Sequence, residues 1–152
     1  NKIGTVIKHI PGHGSSNKDS HLELPIVKKK YKDLKKSDFA CFKNSQSFFA
    51  MTAHIKYFDI DSAHVSTFSK KIIKNIIRKY LSYKGILISD DISMKALKYD
   101  LTTNALNSLK AGCNLALYCS GKYKESLKLL QEMPVIDKFT KKKTSEFYKF
   151  LR

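Results

Sequence analysis

Arginine is nearly absent from this chain: all but two of its 29 basic residues are lysine, the exceptions being Arg78 and Arg152. Base readout and bidentate phosphate recognition favour the guanidinium fork. The lysines are also spread along the chain rather than gathered in one stripe. A formal charge of +16 is therefore read as solvated lysine faces, and no specific nucleic-acid partner is expected. Cysteine is sparse too. Cys41, Cys113 and Cys119 are odd in number and form no C-x-x-C, so neither a zinc ribbon nor a redox pair is signalled. Reduced thiols in a cytoplasmic protein are the expectation. No apolar run reaches the ~18 residues of a membrane-spanning helix, and no membrane partner is expected. Residues 1–7 are too short an apolar stretch for a signal peptide and offer no small-residue cleavage site.

What remains suits one ordinary domain: 152 residues, 42% of them hydrophobic. Short apolar runs alternate with helical patterns. Ile3 to Ile7 ends in Lys8-His9, Phe48 to Ala53 ends in His54, Ile86-Leu87-Ile88 ends in Ser89-Asp90-Asp91, and Leu115 to Tyr118 forms a fourth run. Between them, Ile72, Ile73, Ile76, Ile77 and Tyr80 recur at helical spacing within 66–83. Leu101, Ala105, Leu106 and Leu109 do the same ahead of Gly112, and another helix is expected over 123–133.

Fully apolar strands separated by helices predict a parallel sheet buried on both faces. Reactive residues at the carboxyl ends of such strands form one functional rim. Four β-α units fall short of an eight-stranded barrel, which takes about 250 residues. The fold class is therefore α/β and, if the sheet belongs to a barrel, its C-terminal half, carried by residues 1–137. Residues 138–143 read as a basic linker and 145–151 as a short terminal helix.

Two constellations carry chemistry. The first is Lys8-His9-Ile10-Pro11-Gly12-His13-Gly14, followed by Asp19-Ser20-His21. It has the glycines of a phosphate loop but lacks Gly-Lys-Ser/Thr, which rejects a P-loop. Its histidines invite a metal reading, yet Pro11 and Gly12 forbid the helix on which such ligands are usually paired. Asp19 and His21, two apart in an extended loop, point to one side, where a carboxylate favours the protonated imidazole and fixes which nitrogen faces outward. The pair is either a general acid that later serves as base or a device that stabilises the loop. The second constellation is Ser89-Asp90-Asp91. A carboxylate directly after a buried strand, kept ionised by nearby cations, is a nucleophile towards carbon; equally, it caps the following helix. Two adjacent aspartates allow one of each.

Lys8-His9-x-Pro11-Gly12-His13-Gly14 with Asp19-Ser20-His21, then Met51-x-x-His54, Ser89-Asp90-Asp91-x-x-Met94 and Ala111-Gly112-Cys113 resemble the bacterial β-N-acetylglucosaminidases of glycoside hydrolase family 3. The similarity runs from residue 3 to about residue 135, and the Lys-His-x-Pro-Gly-His-Gly…Asp-Ser-His signature is its specific part. The resemblance implies a half (β/α)8 barrel and a retaining exo-β-N-acetylglucosaminidase. It makes Asp90 the nucleophile, His21 the acid/base with Asp19 as its dyad partner, and Lys8 and His9 the pair that hydrogen-bonds the sugar hydroxyls. His54 and Met94 match positions lining the sugar pocket. The implied substrate is GlcNAc β-linked to a peptide-bearing anhydro-muramic sugar, in cytoplasmic cell-wall recycling; no metal or organic cofactor is expected.

A departure accompanies the match. In the family, the half-barrel ahead of this signature supplies further sugar-binding groups, among them an acidic residue and an arginine. The segment alone is expected to show little or no hydrolase activity. Its open sheet edges call for self-association or a complementary N-terminal half-barrel. Two other functions stay open at this level: a basic, non-catalytic binding module, and a family member that passes the sugar to phosphate rather than water.

Overall fold

The computed structural model describes residues 2–18, 20 and 22–152. In chain order the elements are β1 (Val6–Ile10), β2 (Ile26–Val27), α1 (Tyr31–Leu34), a 3-10 turn at Ala40–Phe42, β3 (Phe49–Thr52) and β4 (Lys56–Tyr57). There follow a second 3-10 turn at Ser66–Phe68, a wide helix at Ile72–Tyr80, β5 (Ile86–Asp91), α2 (Leu101–Ala111), β6 (Leu115–Leu117), α3 (Tyr123–Glu132) and α4 (Lys138–Leu151). Strands β1, β3, β5 and β6 pair in that order, each parallel to its neighbour, and β2 pairs with β4 in a separate parallel ribbon. The expected α/β architecture is thus observed, with all four carboxyl ends on one side of the sheet.

The first strand begins three residues later than its apolar run suggested. Pairing starts at Val6, opposite Phe49, because the chain before it serves another purpose. A side chain on Gly4 would place its Cβ 2.4 Å from the Phe147 ring, and that ring also packs on Phe48 and Phe49 at 5.3 and 4.8 Å between centroids. Glycine is what lets α4 close down on the amino-terminal side of the sheet. Pairing continues to Ile10, opposite Thr52, so Lys8 and His9 lie within β1 rather than after it.

Residues 138–143, expected to be a linker, are the first turns of the continuous helix α4. Asp137 caps it by accepting from the Thr140 backbone N–H at 2.6 Å, and Asn114 at the entry to β6 donates to Thr140 Oγ1 at 3.0 Å. The lysines occupy a solvated helix face, which their charge does not oppose.

The main core joins the wide helix to the segment between β1 and β3. Ile72, Ile73, Ile76, Ile77 and Leu81 are buried with Leu34, Phe39 and Tyr57, each such side chain contributing about 1.5–3 kcal/mol. The Leu81 backbone N–H reaches back five residues to the Ile76 carbonyl. The apolar positions 72/73, 76/77 and 81 recur every four to five residues, a spacing that a wide turn presents on one face. A smaller cluster of Ile92, Ala105 and Leu129 fixes α2 and α3 beside β6. Asp100 caps α2, which stops at Gly112 in a left-handed conformation. None of the described helices is long and apolar enough to cross a membrane.

Candidate active site

Strand β5 delivers Ser89, Asp90 and Asp91 at its carboxyl end, and the alternation of a strand sends Asp90 one way and its two neighbours the other. Ser89 and Asp91 both serve β6: Ser89 Oγ accepts from Leu117 N–H at 2.9 Å, and an Asp91 carboxylate oxygen accepts from Cys119 N–H at 3.3 Å. Asp91 also accepts from Ser93 N–H at 3.0 Å and Ser93 Oγ at 2.7 Å. Its carboxylate is consumed by the turn that follows the strand. Asp90 carries no such duty. Among the described residues, its Oδ1 accepts only from the Asp91 N–H, at 2.9 Å, and its Oδ2 lies 3.5 Å from His9 Nε2. The Asp90 side chain keeps 13% of its surface exposed and His9 keeps 29%, so both reach the rim from a largely desolvated setting. Neither of the paired aspartates caps the following helix, which Asp100 does; Asp91 organises the turn after β5 and Asp90 faces the imidazole.

Beside His9, the loop after β1 turns back on itself. The His9 and His13 rings are 5.8 Å apart, Ser16 N–H closes a turn onto His13 C=O, and Ala53 N–H ties Ile10 C=O to the end of β3 at 2.9 Å. Lys8 is exposed and lines an open cavity of about 570 Å³ together with His9, His13, Ser15, Lys29 and Asp38. Asp19 and His21 lie outside the described residues.

Two residues that the sequence did not single out hold this loop. Asp38, buried, accepts from Ser15 N–H at 2.7 Å, Ser15 Oγ at 2.5 Å and Ser37 Oγ at 3.0 Å, with Lys29 Nζ at 3.9 Å. Burial pushes its carboxyl pKa up, but the hydrogen bonds from Ser15 and Ser37 outweigh that, and the net shift is downward. Tyr57 donates its phenolic O–H to Gly12 C=O at 2.6 Å, and burial drives its pKa well above the ordinary range. Gly12 (φ +152°) fits between them only because it has no side chain: a Cβ would sit 2.6 Å from Asp38 Cβ and 2.8 Å from Asp38 O.

His54, expected to line the sugar pocket, is fully buried. Its Nδ1 lies 2.8 Å from Thr67 Oγ1 and its Nε2 lies 3.0 Å from Asp91 O, so neither nitrogen is left for a sugar hydroxyl. Met94 is 8% exposed, with its N–H bonded to Asp91 O at 3.2 Å; it belongs to the turn that Asp91 organises and presents little surface to a ligand. Sequence did carry one clue to the His54 environment: Thr52 and His54 are two apart at a strand end and so share a face. Among the described residues, no group of three or more His, Cys, Asp or Glu is placed to hold a metal ion.

Four parallel strands in sequential order form a segment of a (β/α)8 barrel, and the carboxylate and histidine meet at the end where such barrels carry their active sites. The chain belongs to glycosyl hydrolase family 3: the sequence model of the family's N-terminal domain matches residues 1–144. A beta-hexosaminidase from Nitrosomonas eutropha is 36% identical over 118 residues, 74% of this chain and 34% of the relative. CbsA from Thermotoga neapolitana superposes with a TM-score of 0.81 at 32% identity, covering 99% of this chain and 38% of that one. NagZ from Neisseria gonorrhoeae, solved in complex with N-trifluoroacetyl-D-glucosamine, gives 0.81 at 26% identity over 99% of this chain and 43% of that one. The chain spans about a third of the length of the curated relatives it matches.

Proposed function

We propose that the protein carrying this chain is a retaining exo-β-N-acetylglucosaminidase that removes GlcNAc from peptidoglycan-derived muropeptides in the cytoplasm. The observation that carries the reading is the division of labour at the end of β5, where Asp91 spends its carboxylate on the turn and Asp90 keeps Oδ2 directed at His9. Asp90 attacks the anomeric carbon and the glycosidic C–O bond breaks. His21, oriented by Asp19, gives its proton to the departing oxygen. Water, deprotonated by the now neutral His21, then opens the glycosyl ester and restores the Asp90 carboxylate, with net retention of configuration. Lys8 and His9 hydrogen-bond the sugar hydroxyls. The matched names support the class, since a beta-hexosaminidase and a protein solved with a glucosamine derivative stand among the relatives.

In the working enzyme the outer edges of β1 and β6, each with one strand neighbour in the four-stranded sheet, are covered by the complementary N-terminal half of the barrel, which supplies the remaining sugar contacts. The test is trapping with a fluorinated N-acetylglucosaminide followed by peptide mass mapping. A mass increment on the peptide containing Asp90, lost in Asp90→Ala, is the expected result. An increment elsewhere, or turnover of a chromogenic N-acetylglucosaminide unaffected by Asp90→Ala, overturns the reading. Sugar phosphate among the products in phosphate buffer would replace water by phosphate as the acceptor.

A further inference from the structure

We propose that His54 is a positioning residue: from beneath the rim, its neutral Nε2–H holds the Asp91 carbonyl, and through the Asp91 backbone the attitude of the Asp90 carboxylate. The inference rests on the reading of Asp90 as nucleophile and adds to it a device that sets the nucleophile's direction.

The hydrogen bonds fix the protons. Asp91 O is a carbonyl and can only accept, so the hydrogen must sit on His54 Nε2, 3.0 Å away. Burial lowers the His54 pKa against the opposing pull of the Asp91 carbonyl and of the Asp90 and Asp91 carboxylates, while His9 lowers it further. The ring is therefore neutral, and Nδ1 accepts. Its partner at 2.8 Å, Thr67 Oγ1, is then the donor, and having spent its hydrogen it accepts from the Thr52 hydroxyl at 2.8 Å. Thr52 and Thr67 are fully buried. The protons point one way along the chain, from Thr52 to Thr67 to His54 to Asp91 C=O. A charged ring would break this order: Nδ1 would donate, and Thr67 would turn its hydrogen to Ala53 O at 3.2 Å.

The backbone of Asp91 carries the effect to the reacting atoms. Asp91 C=O receives His54 Nε2–H and the Met94 N–H, which fixes the peptide after Asp91; the peptide before it supplies the N–H that binds Asp90 Oδ1 at 2.9 Å, and the two are joined at the Asp91 Cα. With Oδ1 so engaged, Oδ2 stands towards His9. Without His54 the Asp91 carbonyl keeps only the Met94 N–H, and the backbone that orients the carboxylate is held less firmly. A displacement of about 1 Å at a reacting group costs on the order of 100-fold in rate.

The test uses two variants and one measurement on the unaltered protein. His54→Gln keeps an N–H donor near the Nε2 position, whereas His54→Leu does not. In the fluorinated-sugar trapping reaction, His54→Leu is expected to label Asp90 about 100-fold more slowly, and His54→Gln to recover most of that loss. GlcNAc binding should change less than about threefold in either. A loss of GlcNAc affinity parallel to the loss of rate, or no rescue by glutamine, would make His54 a sugar ligand or a packing residue and overturn the proposal. Nitrogen-15 NMR of the protein carrying this chain should show the neutral Nε2–H tautomer at His54 at pH 7–8; an imidazolium or an Nδ1–H signal there refutes the network whatever the activity. The Asp91 amide resonance should be preserved in His54→Gln and displaced in His54→Leu, and an amide indifferent to both refutes the coupling. If the unaltered complete protein is not labelled at all, the glycosidase reading fails while the two NMR readouts still judge His54.

Discussion

Removing the charge of Asp38 tests whether the loop after β1 is held from below. Asp38→Asn preserves shape and leaves one oxygen to accept from Ser15 N–H. The new amide nitrogen faces the Ser15 and Ser37 hydroxyls, which rotate to accept instead of donate. Every bond survives, but three charge-assisted bonds become neutral ones. The difference between the two kinds amounts to about 1–2 kcal/mol in total once hydroxyl reorientation is allowed. Lys29 adds little, because its ammonium is 40% exposed and such pairs contribute at most about 1 kcal/mol. Asp38→Ala also strands the Ser15 N–H, which brings the cost to about 3 kcal/mol. For a chain of this size the melting temperature should fall by roughly 3–6 °C for asparagine and 6–12 °C for alanine.

The pH dependence carries a definite sign. Because the folded-state pKa of Asp38 is depressed, its stabilisation is complete above the unfolded value of about 3.9 and disappears as the pH falls through the folded value. The gap between the unaltered protein and Asp38→Asn, followed by urea unfolding, should therefore be constant from pH 7 to 5 and narrow below pH 4. A gap that persists undiminished at the lowest accessible pH, or no gap at pH 7, would refute the account.

Gly12→Ala should cost about 1–3 kcal/mol for its backbone conformation alone, and more for the overlap with Asp38, read as a lowered urea midpoint. At the end of β5, Asp91→Ala should lower stability measurably, since three donors lose their acceptor. Asp90→Ala, which leaves a single N–H without its acceptor, should cost less stability than Asp91→Ala while abolishing sugar trapping; the reverse pattern would exchange their roles. Burial pushes the Cys113 thiol up to about 12, so an alkylating reagent at pH 8 should label Cys41 and Cys119 and spare Cys113 in the native protein, with mass spectrometry giving the count.

The rim was legible in the sequence because its signal is one of position: a reactive residue directly after an apolar run is a strand end whatever the tertiary detail. That logic located His9 and Asp90; it also allowed one of the paired aspartates to cap the next helix, a task that falls to Asp100. It misplaced the start of β1, since Ile3, Gly4 and Thr5 read as strand although Gly4 is committed to the Phe147 ring. Burial was the harder quantity. His54 follows an apolar run just as His9 does, and only the tertiary fold shows that its nitrogens are taken by Thr67 and by Asp91 O. The stretch from Ile26 to Ser47 gave no periodic signal because its ordered pieces, β2, α1 and a single 3-10 turn, are each too short to show a period; Asp38 was lost with it. The lysines of 138–143 masked a helix whose cap, Asp137 three residues before Thr140, stood in plain view.

The ring of Phe147 resting on Gly4 and Phe49 seats α4 across the amino-terminal side of the sheet, away from Asp90. A fluorophore or surface tether attached to the exposed face of α4 would therefore stand clear of arriving sugar.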